Sequence, residues 1–150
     1  MLKIIRANGR HIDLITPLFD AYRVFYGQNS GNNASAFFIE ERLKRNESII
    51  FLALEKERPV GFTQLYRTFS SVSLQPFFIL NDLYVDKKYR CKGIGAALLE
   101  HAKMHCTEMG SKGLALETAI DNPAQKLYEK LGWENDGSIK HYFWTAPKGT

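Results

Sequence analysis

Leu83-Tyr84-Val85-Asp86-Lys87-Lys88-Tyr89-Arg90-Cys91-Lys92-Gly93-Ile94-Gly95-Ala96 carries an apolar strand through a basic turn into a helix. The first backbone N–H groups of a helix lack carbonyl partners of their own and lie at the positive end of its dipole. Such a start is an anion site. Gly93 and Gly95 remove side chains that would hold an anion off the backbone, and Arg90 and Lys92 add charge beside it. A pyrophosphate is the natural ligand of this turn.

Outward from the turn, Phe77 to Val85 is the strongest strand signal in the chain. Downstream, Gly93 opens a helix expected to reach about Met109, with Ile94, Ala97, Leu98, Ala102 and His105 on its apolar stripe. Upstream, Ser48 to Leu54 and Val60 to Thr68 read as a hairpin, and Phe69 to Pro76 reads as a loop. Leu2 to Arg6 is a short first strand. Ile12 to Tyr26 and about Ser35 to Arg45 carry helical periods. After the long helix come an expected strand from Gly113 to Thr118, a helix from Pro123 to Leu131 and a last strand from Ile139 to Thr145. The order β-α-α-β-β-β-α-β-α-β predicts an α/β layered domain with a mixed sheet. No repeat or long linker interrupts it, so residues 1–150 read as a single domain.

Composition sets the outer limits. A chain of 150 residues, 45% hydrophobic and 24% charged, has one domain's length. It can bury about 68–70% of the surface its unfolded form exposes. The longest apolar runs, Ile49 to Leu54 and Phe77 to Leu80, fall far short of the ~20 residues that a bilayer demands. The N-terminal residues lack the apolar stretch of a signal peptide. Two cysteines, Cys91 and Cys106, make no disulfide framework, and a reduced, cytoplasmic protein is expected. The net charge is +4, but Lys87, Lys88, Arg90 and Lys92 crowd one stretch while other charges alternate in sign. That pattern suits a small polyanion, so neither nucleic acid nor a membrane is an expected partner.

Three phosphate-binding readings compete for the glycine turn. A P-loop fails, because no Gly-Lys-Ser/Thr stands at the required spacing. A dinucleotide fingerprint would use Gly93 and Gly95, with Glu117 at about the distance of a ribose ligand, but Leu98 occupies its third glycine position. The third reading is a family resemblance. Arg90-x-x-Gly93-x-Gly95-Ala96 after a Leu-x-Val strand resembles the acetyl-CoA signature of the GNAT superfamily of N-acetyltransferases. Asn122-x-Ala124-x-x-x-Tyr128-Glu129-Lys130-x-Gly132-Trp133 resembles that family's second motif, at the family's spacing.

The resemblance implies a GNAT-like mixed, mostly antiparallel sheet, flanked by helices and with splayed central strands. It implies acetyl-CoA as cosubstrate, no metal, and direct acetyl transfer to an amine. The pantetheine arm would lie on the backbone of Leu83, Tyr84 and Val85. Arg90, Cys91, Lys92, Gly93, Ile94, Gly95 and Ala96 would hold the pyrophosphate. Asn122 would reach the pantetheine arm and Lys130 a CoA phosphate. Tyr128 matches the tyrosine that protonates the departing thiolate in many members. Members are often dimers, which places a homodimer ahead of a monomer.

The acceptor amine must lose a proton before it attacks, because a free alkylammonium has a pKa of about 10.4. Asn81-Asp82 precedes the Leu-x-Val strand end, where polyamine acetyltransferases of the superfamily carry Glu-Asp. Asp82 is therefore the expected base or cation-orienting carboxylate, or else a structural aspartate satisfied by backbone N–H groups. Asn81 is an uncharged departure from the pattern. Strand alternation predicts that residues 81 and 82 face opposite ways. Tyr26 and Asn81 are expected at the acceptor, on walls formed by the first two helices, where Tyr22, Phe37, Phe38, Glu40 and Glu41 also fall. His101 and His105 share a helix face, but no third ligand accompanies them and a metal is not expected. The expected activity is acetylation of a small-molecule amine (polyamine or amino-acid-like) or of a lysine side chain. A non-catalytic acyl-CoA sensor is the alternative, ahead of an NAD-dependent oxidoreductase.

Overall fold

A computed structural model describes residues 1–149 and divides the chain into two compact units, Met1–Glu117 and the stretch from Thr118 onward. In the first unit the elements run β1 (Leu2–Arg6), α1 (Ile12–Phe25), α2 (Asn32–Lys44), β2 (Ser48–Glu55), β3 (Arg58–Ser70), β4 (Gln75–Val85), α3 (Ile94–Glu108) and β5 (Leu114–Ala115). The strands form one sheet in the order β1-β2-β3-β4-β5, antiparallel except for the parallel β4–β5 pair.

Both faces of that sheet are covered, and β2 is accordingly buried along nearly its whole length. On one face, Ile15, Leu18 and Phe19 of α1 and Ile39 of α2 pack with Ile50, Leu52 and Leu54 of β2 and Phe62 of β3. On the other, Ile94, Leu98, Leu99 and Ala102 of α3 are buried. Phe51 and Phe78 close that layer with ring contacts to His105 of 5.8 and 5.4 Å. Leu98, which broke the dinucleotide fingerprint, is thus a core residue.

The expected loop from Phe69 to Pro76 is mostly strand: Phe69 pairs with Pro76 and Ser70 with Gln75, leaving a turn at residues 71–74. The ladder between β4 and β5 joins only Phe78 to Leu114 and Ile79 to Ala115. Beyond it, among the described residues, β4 keeps β3 as its only partner. β5 is correspondingly shorter than the strand expected from Gly113 to Thr118.

Among its described residues the second unit holds one helix, α4 (Gln125–Lys130), inside the expected Pro123–Leu131. The last strand expected from Ile139 to Thr145 is not formed. A strand is defined by the ladder it shares, and among the described residues of this unit no other strand supplies one.

Gly61 of β3 sets how closely α3 approaches the sheet. A Cβ there would lie 2.9 Å from the Tyr84 carbonyl oxygen and 3.4 Å from Ile94 Cγ2 and Leu98 Cδ1. Gly61→Ala is expected to cost about 1–3 kcal/mol through overpacking. The melting temperature should fall by roughly 2–4 °C for each kcal/mol. Thermal and urea unfolding against wild type check this.

Candidate active site

β4 carries one irregularity. Gln64 pairs with Asp82, but the next residue of β3, Leu65, pairs with Leu80, so Asn81 is an extra residue in a β-bulge. The bulge changes which face the strand presents. Phe78 and Leu80 go with the α3 layer, whereas Asp82 and Tyr84 turn toward α1. Alternation alone would have put Asn81 and Asp82 on opposite faces. Instead both line the same cavity, and Asn81 Nδ2 donates to Asp82 Oδ1 at 2.7 Å.

That cavity measures about 380 Å³ and lies wholly within the first unit. Phe19 and Tyr22 of α1, Phe38 of α2 and Tyr66 of β3 form its aromatic walls, with Asn81 and Asp82 on β4. Arg23 and Ser35 reach it from the helices. Asp82 is only 2% exposed. Its Oδ2 accepts from Gln64 Nε2, and Ser48 Oγ holds that amide by donating to Gln64 Oε1 at 2.6 Å. Thr63 Oγ1 donates to the Asp82 carbonyl at 2.8 Å. Among the described residues, no cation lies within ion-pairing distance of the Asp82 carboxylate.

A carboxylate held by amides and unpaired with a cation keeps the desolvation cost of its charge. Burial therefore raises Asp82 above the ordinary carboxylate range, although hydrogen bonds from Asn81 and Gln64 pull the other way. Tyr22 and Tyr66 respond in kind. Burial first, and the Asp82 charge second, push both phenols up, so they remain neutral hydroxyls at neutral pH. The Tyr22 hydroxyl donates to the Asn81 carbonyl at 3.2 Å, which fixes the bulge against α1.

The glycine turn is also in this unit. Asp86 caps a short 3₁₀ turn at Lys87–Tyr89, its Oδ1 accepting from Lys88 N–H at 2.9 Å. Cys91 and Gly93 both take left-handed φ angles, 63° and 82°. Gly93 caps α3 without a side-chain hydrogen bond, leaving the first N–H groups of that helix, through Ile94, Gly95 and Ala96, to an outside acceptor. A Cβ on Gly93 would meet nothing within 4 Å, so the space over the turn is open. Residues and space therefore fit a pyrophosphate. Arg90 is tied back: its Nε donates to the Val85 carbonyl at 2.9 Å and its guanidinium lies 5.4 Å from the Tyr84 ring centroid. Lys92 Nζ stands 5.3 Å from the Tyr89 ring. Since Asp86 N–H donates to Val60 of β3, alternation turns the backbone groups of Leu83 and Val85 to the open edge of β4.

Other expected residues fall elsewhere. Tyr26 is 54% exposed at the end of α1 and lines no part of the cavity; its ring touches Tyr22 at 5.0 Å. Phe37 is exposed, and Glu41 pairs with Arg45 at 3.5 Å. His101 Nδ1 lies 3.1 Å from the Ala97 carbonyl, whereas His105 is buried between aromatic rings. Among the described residues no three His, Cys, Asp or Glu side chains are grouped to hold a metal ion, and no helix is long and apolar enough to cross a membrane. In the second unit, Asn122 Oδ1 accepts from Ala124 N–H at 2.9 Å and so shapes the entry to α4. Tyr128 packs 6.1 Å from Trp133, and Lys130 ends the helix exposed.

The network predicts a pH effect with a definite sign. A raised pKa means that the folded state holds the Asp82 proton more tightly than the unfolded chain does. Stability from this group is therefore fully present below the unfolded pKa near 3.8 and is lost as pH rises through the folded value. The stability difference between wild type and Asp82→Asn should shift in favour of wild type as pH falls from 7 toward 4. Urea unfolding of both proteins across that range checks it; a flat difference contradicts it.

Comparison with known proteins places the whole assembly. The sequence model of the Acetyltransferase (GNAT) family matches residues 15–133. An uncharacterized N-acetyltransferase of Bacillus subtilis, YhfO, is 45% identical over 97% of this chain and 99% of its own. A crystal structure of a probable acetyltransferase superposes with a TM-score of 0.91 at 41% identity, covering 98% of this chain and 99% of that one. The fold recurs at 21% identity and a TM-score of 0.79 in an aminoglycoside N-acetyltransferase crystallised with CoA, over 97% of this chain and 96% of that one. The chain belongs to the GNAT family of acetyltransferases and is an N-acetyltransferase.

Proposed function

We propose that this enzyme transfers the acetyl group of acetyl-CoA directly to a primary amine. The acceptor is a small molecule, polyamine or amino-acid-like, or a lysine side chain. The observation that carries this reading is a buried carboxylate without a cation, set in an aromatic cavity on the same strand whose end leads to the anion-binding turn. Acetyl-CoA supplies an activated acetyl thioester. The N–H groups opening α3, with Lys92 beside them, bind its pyrophosphate, and the open edge of β4 at Leu83 and Val85 hydrogen-bonds its pantetheine arm. Arg90, fastened to the Val85 carbonyl, stiffens the turn.

Asp82 orients the acceptor ammonium and takes its proton, for which a raised pKa suits it. Once Asp82 has passed that proton to solvent, the neutral nitrogen forms its bond to the acetyl carbon as the carbon–sulfur bond breaks with its electron pair on sulfur. The second proton, which the new amide nitrogen sheds, goes to Asp82 or water. Tyr128 gives that sulfur its phenolic proton and regains one from solvent. A phenol and an alkyl thiolate are similar enough in basicity for this exchange. Asn122 and Lys130 are proposed contacts to the pantetheine arm and a phosphate. Tyr26 lies outside the cavity and is proposed only at its approach.

Two variants test separate parts. Gly95→Asp puts a carboxylate at the helix start and should abolish acetyl-CoA binding by calorimetry while the fold persists; unchanged affinity contradicts the turn's role. Asp82→Asn should lower kcat/KM by ~10²–10⁴-fold near pH 7, measured as thiol release with an amine panel. The deficit should shrink as pH rises toward the amine pKa, because free amine then needs no base. CoA binding with no turnover on any amine would favour the sensor.

A further inference from the structure

The cavity holds two charges of opposite sign, and only one is matched by protein. Asp82 lies on its β4 side, with no cation within ion-pairing distance among the described residues. Arg23 of α1 lines it from the helical side, its side chain 31% exposed. Arg23 Nη1 is 3.4 Å from the Asn29 carbonyl and 3.7 Å from Asp20 Oδ1. Asp20, however, is already well satisfied. It accepts from Ser30 Oγ at 2.6 Å, Gly31 N–H at 2.8 Å and Ser35 Oγ at 2.9 Å. Those bonds close the loop between α1 and α2 and leave the guanidinium a long, secondary contact. No hydrogen bond among the described residues engages Arg23 Nε or Nη2. A guanidinium with two free donors is a fork for a carboxylate.

The other cation nearby is committed. Arg42 pairs with Glu47 at 3.0 Å and covers the Phe38 ring at 4.7 Å. The Phe38 ring also stacks on Phe19 with centroids 5.7 Å apart. An ammonium entering the cavity therefore finds its one charge partner at Asp82. A second ammonium on the same molecule would meet Arg23. The volume, about 380 Å³, suits a small acceptor; at ~30 Å³ per water it is worth about a dozen waters.

We infer that Arg23 selects acceptors bearing one amine and one carboxylate, an amino-acid-type compound, over polyamines. This rests on the acetyltransferase reading with Asp82 at the acceptor amine. Arg23 touches the substrate's anionic end and takes no part in the chemistry, so it is a specificity determinant.

The test uses the full-length enzyme with acetyl-CoA and matched acceptors of equal chain length: ω-amino acids, the corresponding monoamines, and the corresponding diamines, from three to six carbons. Wild type should prefer the amino acid to the diamine by about ten- to a hundredfold in kcat/KM, the range expected for one charge-assisted contact. The preference should reside in KM and shrink with added salt, because Arg23 is partly exposed. Arg23→Gln should collapse the ratio, and Arg23→Glu should reverse it toward the diamine. Arg45→Gln removes the same charge from an exposed site on α2 and should leave the ratio alone. Wild type using diamines as well as or better than amino acids overturns the inference but leaves the acetyltransferase reading intact. Arg23→Gln depressing every acceptor equally also overturns it, since that is the mark of a purely structural tie to the α1–α2 loop. Failure to acetylate any of these acceptors overturns the inference together with the small-molecule branch of the acetyltransferase reading.

Discussion

The Asp82 carboxylate is buried with amide donors but no cation, and much of the first unit is arranged to make that state tolerable. Gln64 and Asn81 each give it one hydrogen bond, Ser48 fixes the Gln64 amide, and Tyr22 clamps the Asn81 carbonyl. A protein lysine or arginine in the same place would neutralise the charge and fill the space. Amide donors hold the carboxylate in position and leave the balancing charge to a ligand. The cost of burial appears as a raised pKa, and that same shift gives the carboxylate the affinity for a proton that amine deprotonation calls for.

The bulge at Asn81 is what lets one strand serve two layers. Before it, Phe78 and Leu80 are buried on the α3 side; after it, Asp82 faces the cavity, Tyr84 packs against Tyr22 of α1, and Leu83 and Val85 turn backbone away from β3. A short β5 leaves that edge of β4 without a ladder partner among the described residues, and Gly61 lets α3 settle close to β3, with its N-terminus following directly on the glycine turn. Strand register, helix approach and anion site are therefore consequences of one local geometry around the end of β4.

The parts legible in the sequence are those whose cause is local. The glycine turn follows from positive φ and helix-start physics, and the first seven elements follow from period. Asp82 is marked by being a charge in an apolar strand. The bulge was not legible, because it is a statement about register with β3, and no residue of β4 announces it alone. For the same reason the pairing of Asn81 with Asp82 in one cavity reversed the expectation from alternation. Gln64 and Ser48 left a faint signal, as polar residues on otherwise apolar strands, but only the partner across the sheet gives them meaning. Arg23 reads as an ordinary solvated helix residue until α2 and β4 enclose it. Ile139 to Thr145 shows the converse error: a good strand composition forms no strand without a ladder.

The central claim is that Asp82 is a buried carboxylate awaiting an ammonium. Its ionisation can be followed directly by carbon-13 NMR of the side-chain carboxyl, with Asp82→Asn identifying the resonance. The account predicts an inflection above the ordinary carboxylate range in the free protein, moving down when a short ω-amino acid is added without acetyl-CoA. An inflection at or below that ordinary range, or one indifferent to the added amine, would contradict it.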